Sequence, residues 1–132
     1  MARAIGLGLL LVLATGVSAA VDPAFDFTGH WTGYYSEDSG PQQSLAADLA
    51  TQSGTRRFTG TMDVASDTPL TCNVTGVQKK HGMKVKIHLA CGTNGNLNLH
   101  ATLDAATKTL AGGYHRCGRH KVHVGTFTLV ES

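Results

Sequence analysis

Apolar and polar residues alternate along most of the chain beyond residue 28, and short clusters of turn-forming residues interrupt the alternation. A period of two is typical of β-strands that bury one face and expose the other. The pattern predicts eight strands, at residues 30–36, 43–51, 57–64, 71–79, 84–91, 96–103, 109–116 and 121–130. The run at 44–51, SLAADLAT, is rich enough in Ala and Leu to suggest a short helix, but its length and its neighbours favour a strand.

Short turns connect the predicted strands, so each strand is expected to pair antiparallel with the next. Eight half-buried strands are most simply closed into a barrel, because closure leaves no exposed sheet edge. The sequence therefore predicts an all-β fold, a single antiparallel up-and-down eight-stranded barrel at residues 29–132, with a β-sandwich as the alternative. An outer-membrane barrel is disfavoured, because most runs are shorter than the roughly 9–11 residues of a membrane-spanning strand and Lys84, Lys86 and His88 share one strand face.

Cys72 and Cys91 lie symmetrically about His81-Gly82, where glycine suits the positive φ of a tight hairpin turn. A hairpin centred there places the two cysteines opposite each other, which predicts a cross-strand disulfide. Cys91–Cys117 is the alternative pairing, and Cys117 would otherwise be a free thiol or form an intermolecular bond. A disulfide indicates an oxidising compartment. The chain has no CxxC motif that would indicate a thiol oxidoreductase.

Residues 1–20, MARAIGLGLLLVLATGVSAA, have the order of a secretory signal peptide: a basic residue, an apolar run and then small residues. The apolar run is shorter than the roughly 20 residues of a membrane-spanning helix, so we expect cleavage and no integral membrane segment in the mature chain. A short linker is expected at residues 21–28, where Pro23 resists regular structure. The mature protein is predicted to be secreted or periplasmic.

Charge is unevenly distributed along the chain. Residues 22–67 contain seven acids and two bases, for −5, whereas residues 68–132 contain eight Lys and Arg and two acids, for +6. Alternate loops of an up-and-down barrel share an end, so one end is predicted to carry a basic rim: Arg56, Arg57, Lys79, Lys80, Lys108 and His81. Such a rim attracts an acidic glycan, a lipid headgroup or an acidic protein surface, although ordinary solvated lysines give the same pattern. Nucleic acid is not expected, because few aromatic residues could stack on bases.

No residue pattern indicates catalysis. The chain lacks the Gly-x-Ser-x-Gly nucleophile motif, a phosphate-binding glycine-rich loop and a dinucleotide fingerprint. A three-residue loop at 93–95 would place His88 opposite His100, but two histidines do not complete a zinc site. We therefore expect neither an enzyme nor a bound metal or cofactor.

Trp31 and Tyr35 lie on the same face of the first predicted strand. One interpretation places Trp31 in the core at an end of the barrel, since a large ring is usually buried. The other is a ligand cavity lined by Trp31, Tyr35 and Tyr114, because an eight-stranded barrel can hold one small molecule.

Three segments resemble strands of avidin-type barrels: Phe27-Thr28-Gly29-His30-Trp31-Thr32, with its Thr-Gly-x-Trp sequence, Phe58-Thr59-Gly60-Thr61, and Val124-Gly125-Thr126-Phe127-Thr128. The resemblance implies an exported eight-stranded meander. It does not imply biotin binding, because the biotin site of that family needs several further tryptophans and Trp31 is the one tryptophan of this sequence.

Together these patterns predict an exported, non-enzymatic β-barrel that binds a small or anionic ligand through its mouth or its loops. The alternative is an inhibitor or accessory protein that docks an extracellular enzyme through the basic rim. A large interior cavity would favour the first function, and a filled interior with ordered basic loops would favour the second.

Overall fold

A computed structural model of the protein describes residues 20–37, 40–116 and 122–132. Its strands are β1 (Gly29–Glu37), β2 (Gln43–Thr51), β3 (Arg57–Val64), β4 (Leu70–Gln78), β5 (Lys84–Ala90), β6 (Asn96–Asp104), β7 (Thr109–Arg116) and β8 (Val122–Glu131). A short 3₁₀ helix, Gly92–Asn94, lies between β5 and β6. Each strand pairs antiparallel with the next, and β8 pairs with β1, so the sheet closes into one barrel. The predicted up-and-down barrel is confirmed, and the SLAADLAT segment is strand β2.

The alternation of apolar and polar residues determines which side of a strand faces the interior. On β5, Val85, Ile87 and Leu89 are buried, whereas Lys84 and Lys86, which alternate with them, are exposed. Burying an apolar side chain of this size contributes roughly 1.5–3 kcal/mol. A slip of one residue would expose the whole apolar set, so the pattern fixes the register.

Two glycines allow the barrel to be packed closely. A Cβ atom at Gly76 on β4 would lie 2.1 Å from the ring of Phe58 on β3, so the ring occupies the space that a side chain would need. A Cβ atom at Gly125 on β8 would lie 1.9 Å from the carbonyl oxygen of Ser36 on β1. Glycine at such positions lets neighbouring strands approach and bend enough to close the barrel.

The predicted disulfide is confirmed. Cys72 on β4 is bonded to Cys91, which directly follows β5, and their Cα atoms are 4.3 Å apart. The neighbouring pairs of β4 and β5 have the register that the symmetric hairpin requires. Gly82 in the connecting loop has a φ of 80°, the positive value for which glycine is suited. Cys117 lies outside the described residues.

The predicted opposition of His88 and His100 is wrong. Strand β5 ends at Ala90 and β6 begins at Asn96, so five residues connect them instead of three. The longer connection shifts the pairing, and His88 lies opposite Asn98. The two side chains interact, with His88 Nδ1 3.1 Å from Asn98 Oδ1.

Residues 20–28, which include the predicted linker, pack across one end of the barrel. Phe27 is fully buried, and its backbone N–H donates to the Thr51 hydroxyl oxygen at 2.7 Å. The Asp22 carboxylate accepts the backbone N–H of Met83 at 2.7 Å. The segment therefore belongs to the folded domain.

The two ends of the barrel carry different segments of the described chain. The closed end is covered by residues 20–28 and carries the loops at 52–56, 79–83 and 105–108. The opposite end, here called the open end, carries residues 40–42 and the loops at 65–69 and 91–95. This grouping of loops is the one that sequential antiparallel pairing predicts.

Two observations bear on location. The disulfide is compatible with an oxidising environment, either extracellular or periplasmic. In the parts of the chain that the structure describes, no helix is long and apolar enough to cross a membrane. The segment assigned to the signal peptide lies, up to residue 19, outside the described residues.

Candidate functional site: a cleft at the open end

The residues predicted to bind a ligand are divided between the two ends. Trp31, near the start of β1, is fully buried beside the closed end. Tyr35 and Tyr114 lie together towards the open end, with ring centroids 5.9 Å apart at an interplanar angle of 78°. The structure therefore brings the two tyrosines into one place and separates Trp31 from them.

Trp31 belongs to an aromatic cluster that fills the closed end. Its indole Nε1 donates to the backbone carbonyl of Phe27 at 2.9 Å, which satisfies its one polar atom inside the core. Phe27 in turn packs on Phe58, with ring centroids 4.2 Å apart, and on Phe25 at 4.9 Å. Burial and a satisfied hydrogen bond indicate a structural role for Trp31.

The predicted basic rim lies at the closed end, and part of it holds residues 20–28 in place. The Arg56 guanidinium donates to the backbone carbonyls of Asp22 and, at 3.3 Å, Lys79. His81 Nδ1 lies 3.0 Å from the carbonyl oxygen of Ala20. Arg56 and His81 are therefore engaged with the chain itself, whereas Arg57, Lys79 and Lys80 remain exposed on the rim.

The interior beneath the two tyrosines contains a small void. Its volume is about 40 Å³, room for about three water molecules. Its lining is apolar apart from the two phenols: Tyr35, Leu45, Met62, Val64, Leu89, Leu97, Leu99, Tyr114 and Phe127. Small-molecule sites usually enclose roughly 300–1,000 Å³, so the barrel interior by itself is filled.

A larger cleft lies above this void, at the open end. It encloses about 250 Å³ and is lined by Tyr35, Glu37, Val64, Ser66, Leu70, Cys91, Leu97, Tyr114 and Arg116. Four of these residues also line the void: Tyr35, Val64, Leu97 and Tyr114. The tyrosine pair therefore forms the floor of the cleft, and Leu70 and Leu97 contribute apolar wall.

The floor of the cleft is fixed by a hydrogen bond and by charge. The Tyr35 hydroxyl donates to the backbone carbonyl of Ala65 at 2.5 Å. Burial raises the pKa of Tyr35 above its ordinary value, and the negative charges of Glu37 and Asp67 raise it further. The phenol therefore stays neutral at physiological pH and keeps the proton that it donates to Ala65.

The cleft carries charge of both signs at its edge. Glu37 ends β1 and Arg116 ends β7, and both side chains are exposed. Beyond them, residues 38–39 and 117–121 lie outside the described part of the chain. The alternation of residues along β7 could have identified Arg116 as a cleft residue, because Arg116 is two residues beyond Tyr114 on the same face of the strand. The signal for Ser66 is absent, because Ser66 lies in the loop at 65–69, where no alternation exists.

Metal binding has no support in the described parts of the chain. There, no group of three His, Cys, Asp or Glu side chains is arranged to hold an ion.

Comparison with known proteins does not assign the chain to a family. No protein-family model matches it, and no curated protein is significantly similar. Its function has to be inferred from the barrel and from the cleft.

Proposed function

We propose that this protein is an exported, non-enzymatic binding module that holds a small amphipathic ligand in the cleft at the open end. The observation that carries the proposal is the pair Tyr35 and Tyr114, which floor a cleft of about 250 Å³ at one end of the barrel. The other end is filled by aromatic side chains and covered by residues 20–28.

The lining of the cleft indicates the chemistry of the ligand. Tyrosine rings, Leu70 and Leu97 offer an apolar floor and wall on which one aromatic ring or a short alkyl chain can lie. Glu37 and Arg116 at the edge, with the Ser66 hydroxyl, can pair with polar or charged groups of the same molecule. A ligand with an apolar part and a polar end fits both features.

The size of the cleft limits the affinity. The volume is slightly below the usual range of small-molecule sites, roughly 300–1,000 Å³, so the ligand is expected to be small. Removing about 100 Å² of its apolar surface from water contributes about 2.5 kcal/mol. The hydrogen bond of Tyr35 to Ala65 holds the floor in its binding geometry before the ligand arrives, which reduces the entropy lost on binding.

The test is a titration with three probes that share one ring and differ in charge: benzoate, benzyl alcohol and benzylamine. Each is followed by backbone NMR chemical shifts up to about 10 mM, where a binding free energy of about −3 kcal/mol is still detected. We expect shifts at Tyr35, Leu97 and Tyr114 and none at Trp31. Arg116→Gln is expected to weaken the binding of benzoate, and Glu37→Gln is expected to weaken the binding of benzylamine.

The chain supplies a matched control. Tyr34 is adjacent to Tyr35 but lies on the outer surface, 54% exposed. We expect Tyr35→Ala to weaken probe binding about tenfold, while Tyr34→Ala leaves it unchanged. Should Tyr35→Ala fold poorly, Arg116→Gln gives the same information from an exposed side chain. Failure of all three probes to shift the cleft residues would contradict the proposal.

The second candidate is an accessory protein that docks an acidic protein partner through the basic rim. It is favoured by two observations: the interior of the barrel contains a void of only about 40 Å³, and the exposed Lys79 and Lys80 lie on a loop that Arg56 and residues 20–28 hold in place. Polyglutamate serves as the probe of an acidic protein surface. This function would be favoured over the cleft by three results together. Polyglutamate binds, the double variant Lys79→Glu with Lys80→Glu abolishes that binding, and the three cleft probes do not bind.

A further inference from the structure

The charge asymmetry of the sequence becomes an asymmetry between two walls of the barrel. Each strand pairs with its neighbour in sequence, so β1–β3 form one side and β5–β7 the other. Lys84 and Lys86 are exposed on β5, whereas Asp48 on β2 and Asp63 on β3 are exposed on the other side. The outer surface of β2 and β3 thus carries carboxylates, and that of β5 carries lysines.

The outer surface of β5, β6 and β7, here called the basic wall, carries cations and polar groups. Its members are Lys84, Lys86, His88, Asn98, Thr102, His100 and His115. The register places Lys86 beside His100 and His88 beside Asn98. On the next strand pair, the rings of His100 and His115 stack with centroids 5.3 Å apart.

The lysines of the basic wall are not neutralised by the protein itself. In the described residues the one contact at salt-bridge distance joins the His30 imidazole to the Asp48 carboxylate at 2.8 Å, on β1 and β2. The acid among the outward residues of β4–β7 is Asp104, at the closed end, which accepts the backbone N–H groups of residues 106 and 107. Within the described chain, neither Lys84 nor Lys86 has a carboxylate within salt-bridge distance.

Spacing and neighbouring groups indicate what this surface binds. Alternate residues of a strand are about 6.7 Å apart, so Lys84 and Lys86 form a short row whose spacing suits successive charges of a repeating anion. Asn98 and Thr102 beside the row offer hydrogen bonds to hydroxyl groups. Among the described residues, the exposed large hydrophobic side chains lie elsewhere: Val21, Tyr34 and Val130. The wall thus lacks the apolar groups that insert into membranes and the aromatic platforms, other than histidine rings, that stack on bases.

We propose that the basic wall binds a linear anionic polysaccharide, with Lys84 and Lys86 contacting successive carboxylate or sulfate groups. The polymer lies along the outer surface of β5 and β6, away from the cleft at the open end. This inference is independent of the cleft ligand, because no residue of the basic wall lines the cleft.

The experiment measures binding of heparin, as a sulfated polysaccharide, and alginate, as a carboxylated one, by calorimetry at several salt concentrations. Binding to a polyanion releases counterions, so affinity is expected to fall steeply between about 50 mM and 200 mM salt. The variant Lys84→Gln with Lys86→Gln is expected to bind roughly tenfold more weakly or worse, since two charge contacts are lost. Comparison of the two polymers identifies the preferred anion.

A matched pair of single variants separates position from net charge. Lys86→Gln removes a charge from the basic wall, and Lys108→Gln removes one from the exposed loop between β6 and β7. We expect the first to weaken polysaccharide binding and the second to leave it nearly unchanged. Equal effects would show non-specific attraction to net charge and overturn the proposal.

Two further arms exclude other polyanions. Vesicles containing phosphatidylglycerol test a lipid surface, and a DNA duplex of random sequence tests nucleic acid. Binding of either one as tight as that of the polysaccharides, or absence of polysaccharide binding at about 50 mM salt, would overturn the proposal. The proposal would be supported if vesicles and DNA bind only weakly and if substitution of Lys84 and Lys86 weakens polysaccharide binding.

Discussion

The side-chain amide of Gln78 hydrogen-bonds to the backbone of Phe25 although 53 residues separate them. Gln78 Oε1 accepts the Phe25 N–H at 2.8 Å, and Gln78 Nε2 donates to the Pro23 carbonyl at 3.0 Å. Gln78 is 1% exposed, and both ends of its amide are thereby satisfied. A buried amide on β4 thus holds residues 20–28 over the closed end.

Replacement of Gln78 by leucine is expected to lower the free energy of unfolding by about 2 kcal/mol or more, since each buried group left unpaired costs about 1–3 kcal/mol. Urea denaturation measures the loss of stability, and the fluorescence of Trp31 reports whether water gains access to the closed end. The control is Gln52→Leu in an exposed turn, which is expected to change stability by less than about 0.5 kcal/mol. Equal stability of the two variants would contradict the role of Gln78.

Removal of the disulfide is expected to destabilise the protein strongly. Cys72 and Cys91 are 19 residues apart, and a loop of about this length restricts the unfolded chain by about 3 kcal/mol. The double variant Cys72→Ala with Cys91→Ala should show this loss in chemical denaturation. Reducing agent should destabilise the wild type and leave the double variant unaffected; a further loss in the variant would point to another bond.

Substitution of Gly76 by alanine is expected to cost about 1–3 kcal/mol, the usual range for overpacking a core. The added Cβ would lie 2.1 Å from the Phe58 ring, which is itself packed against Phe27. Thermal and chemical denaturation measure the effect. Combining Gly76→Ala with Phe58→Leu makes room for the methyl group, so the double variant should lose less than the sum of the single losses. Strict additivity would show that the two residues do not compete for space.

Tyr35 is expected to make stability depend on pH in the alkaline range. Because its pKa is raised in the folded state by burial and by Glu37 and Asp67, the unfolded chain loses this proton first as the pH rises past about 10. Stability is therefore retained below that range and lost as the pH rises towards the folded pKa. Urea denaturation of the wild type and of Tyr35→Phe across this range should show a smaller alkaline loss in the variant.

A second variant tests the cause of the shift in the pKa of Tyr35. Glu37→Gln removes one of the negative charges and should move the phenol pKa part of the way towards its ordinary value. Burial is the larger cause, so a shift should remain. Absorbance titration of the phenolate, with Tyr35→Phe subtracted, measures both. An unchanged pKa would exclude the contribution of Glu37.

Local pattern predicted most of the fold. The boundaries of β2, β3 and β7 agree with the structure, because alternation and turn residues are encoded within a few positions. The disulfide was predictable because Cys72 and Cys91 are equally far from the turn at His81-Gly82, so a hairpin places them opposite each other. The predicted pairing of His88 with His100 was wrong for a related reason: it depended on the length of the loop, which has five residues, 91–95, instead of three.

The sequence pattern did not predict the contacts between residues that are far apart in the chain. The packing of residues 20–28 depends on Gln78, and a single glutamine within a strand has no local feature that identifies its partner. The contact between Tyr35 and Tyr114 was also hidden, because alternation gives the face of a strand but not the height along the barrel at which two rings meet. Ser66 reaches the cleft through a loop, where periodicity carries no information.

The pairing of β1 with β8 has a consequence for the order of assembly. Hairpins between neighbours can form as soon as both strands have been made, but the edge of β1 has to wait for the most distant strand of the meander. Until then, a nascent chain carries an unpaired edge that other chains could join. Closure of the ring removes this edge, so substitutions that delay the last strand should be harmful even where the finished barrel tolerates them.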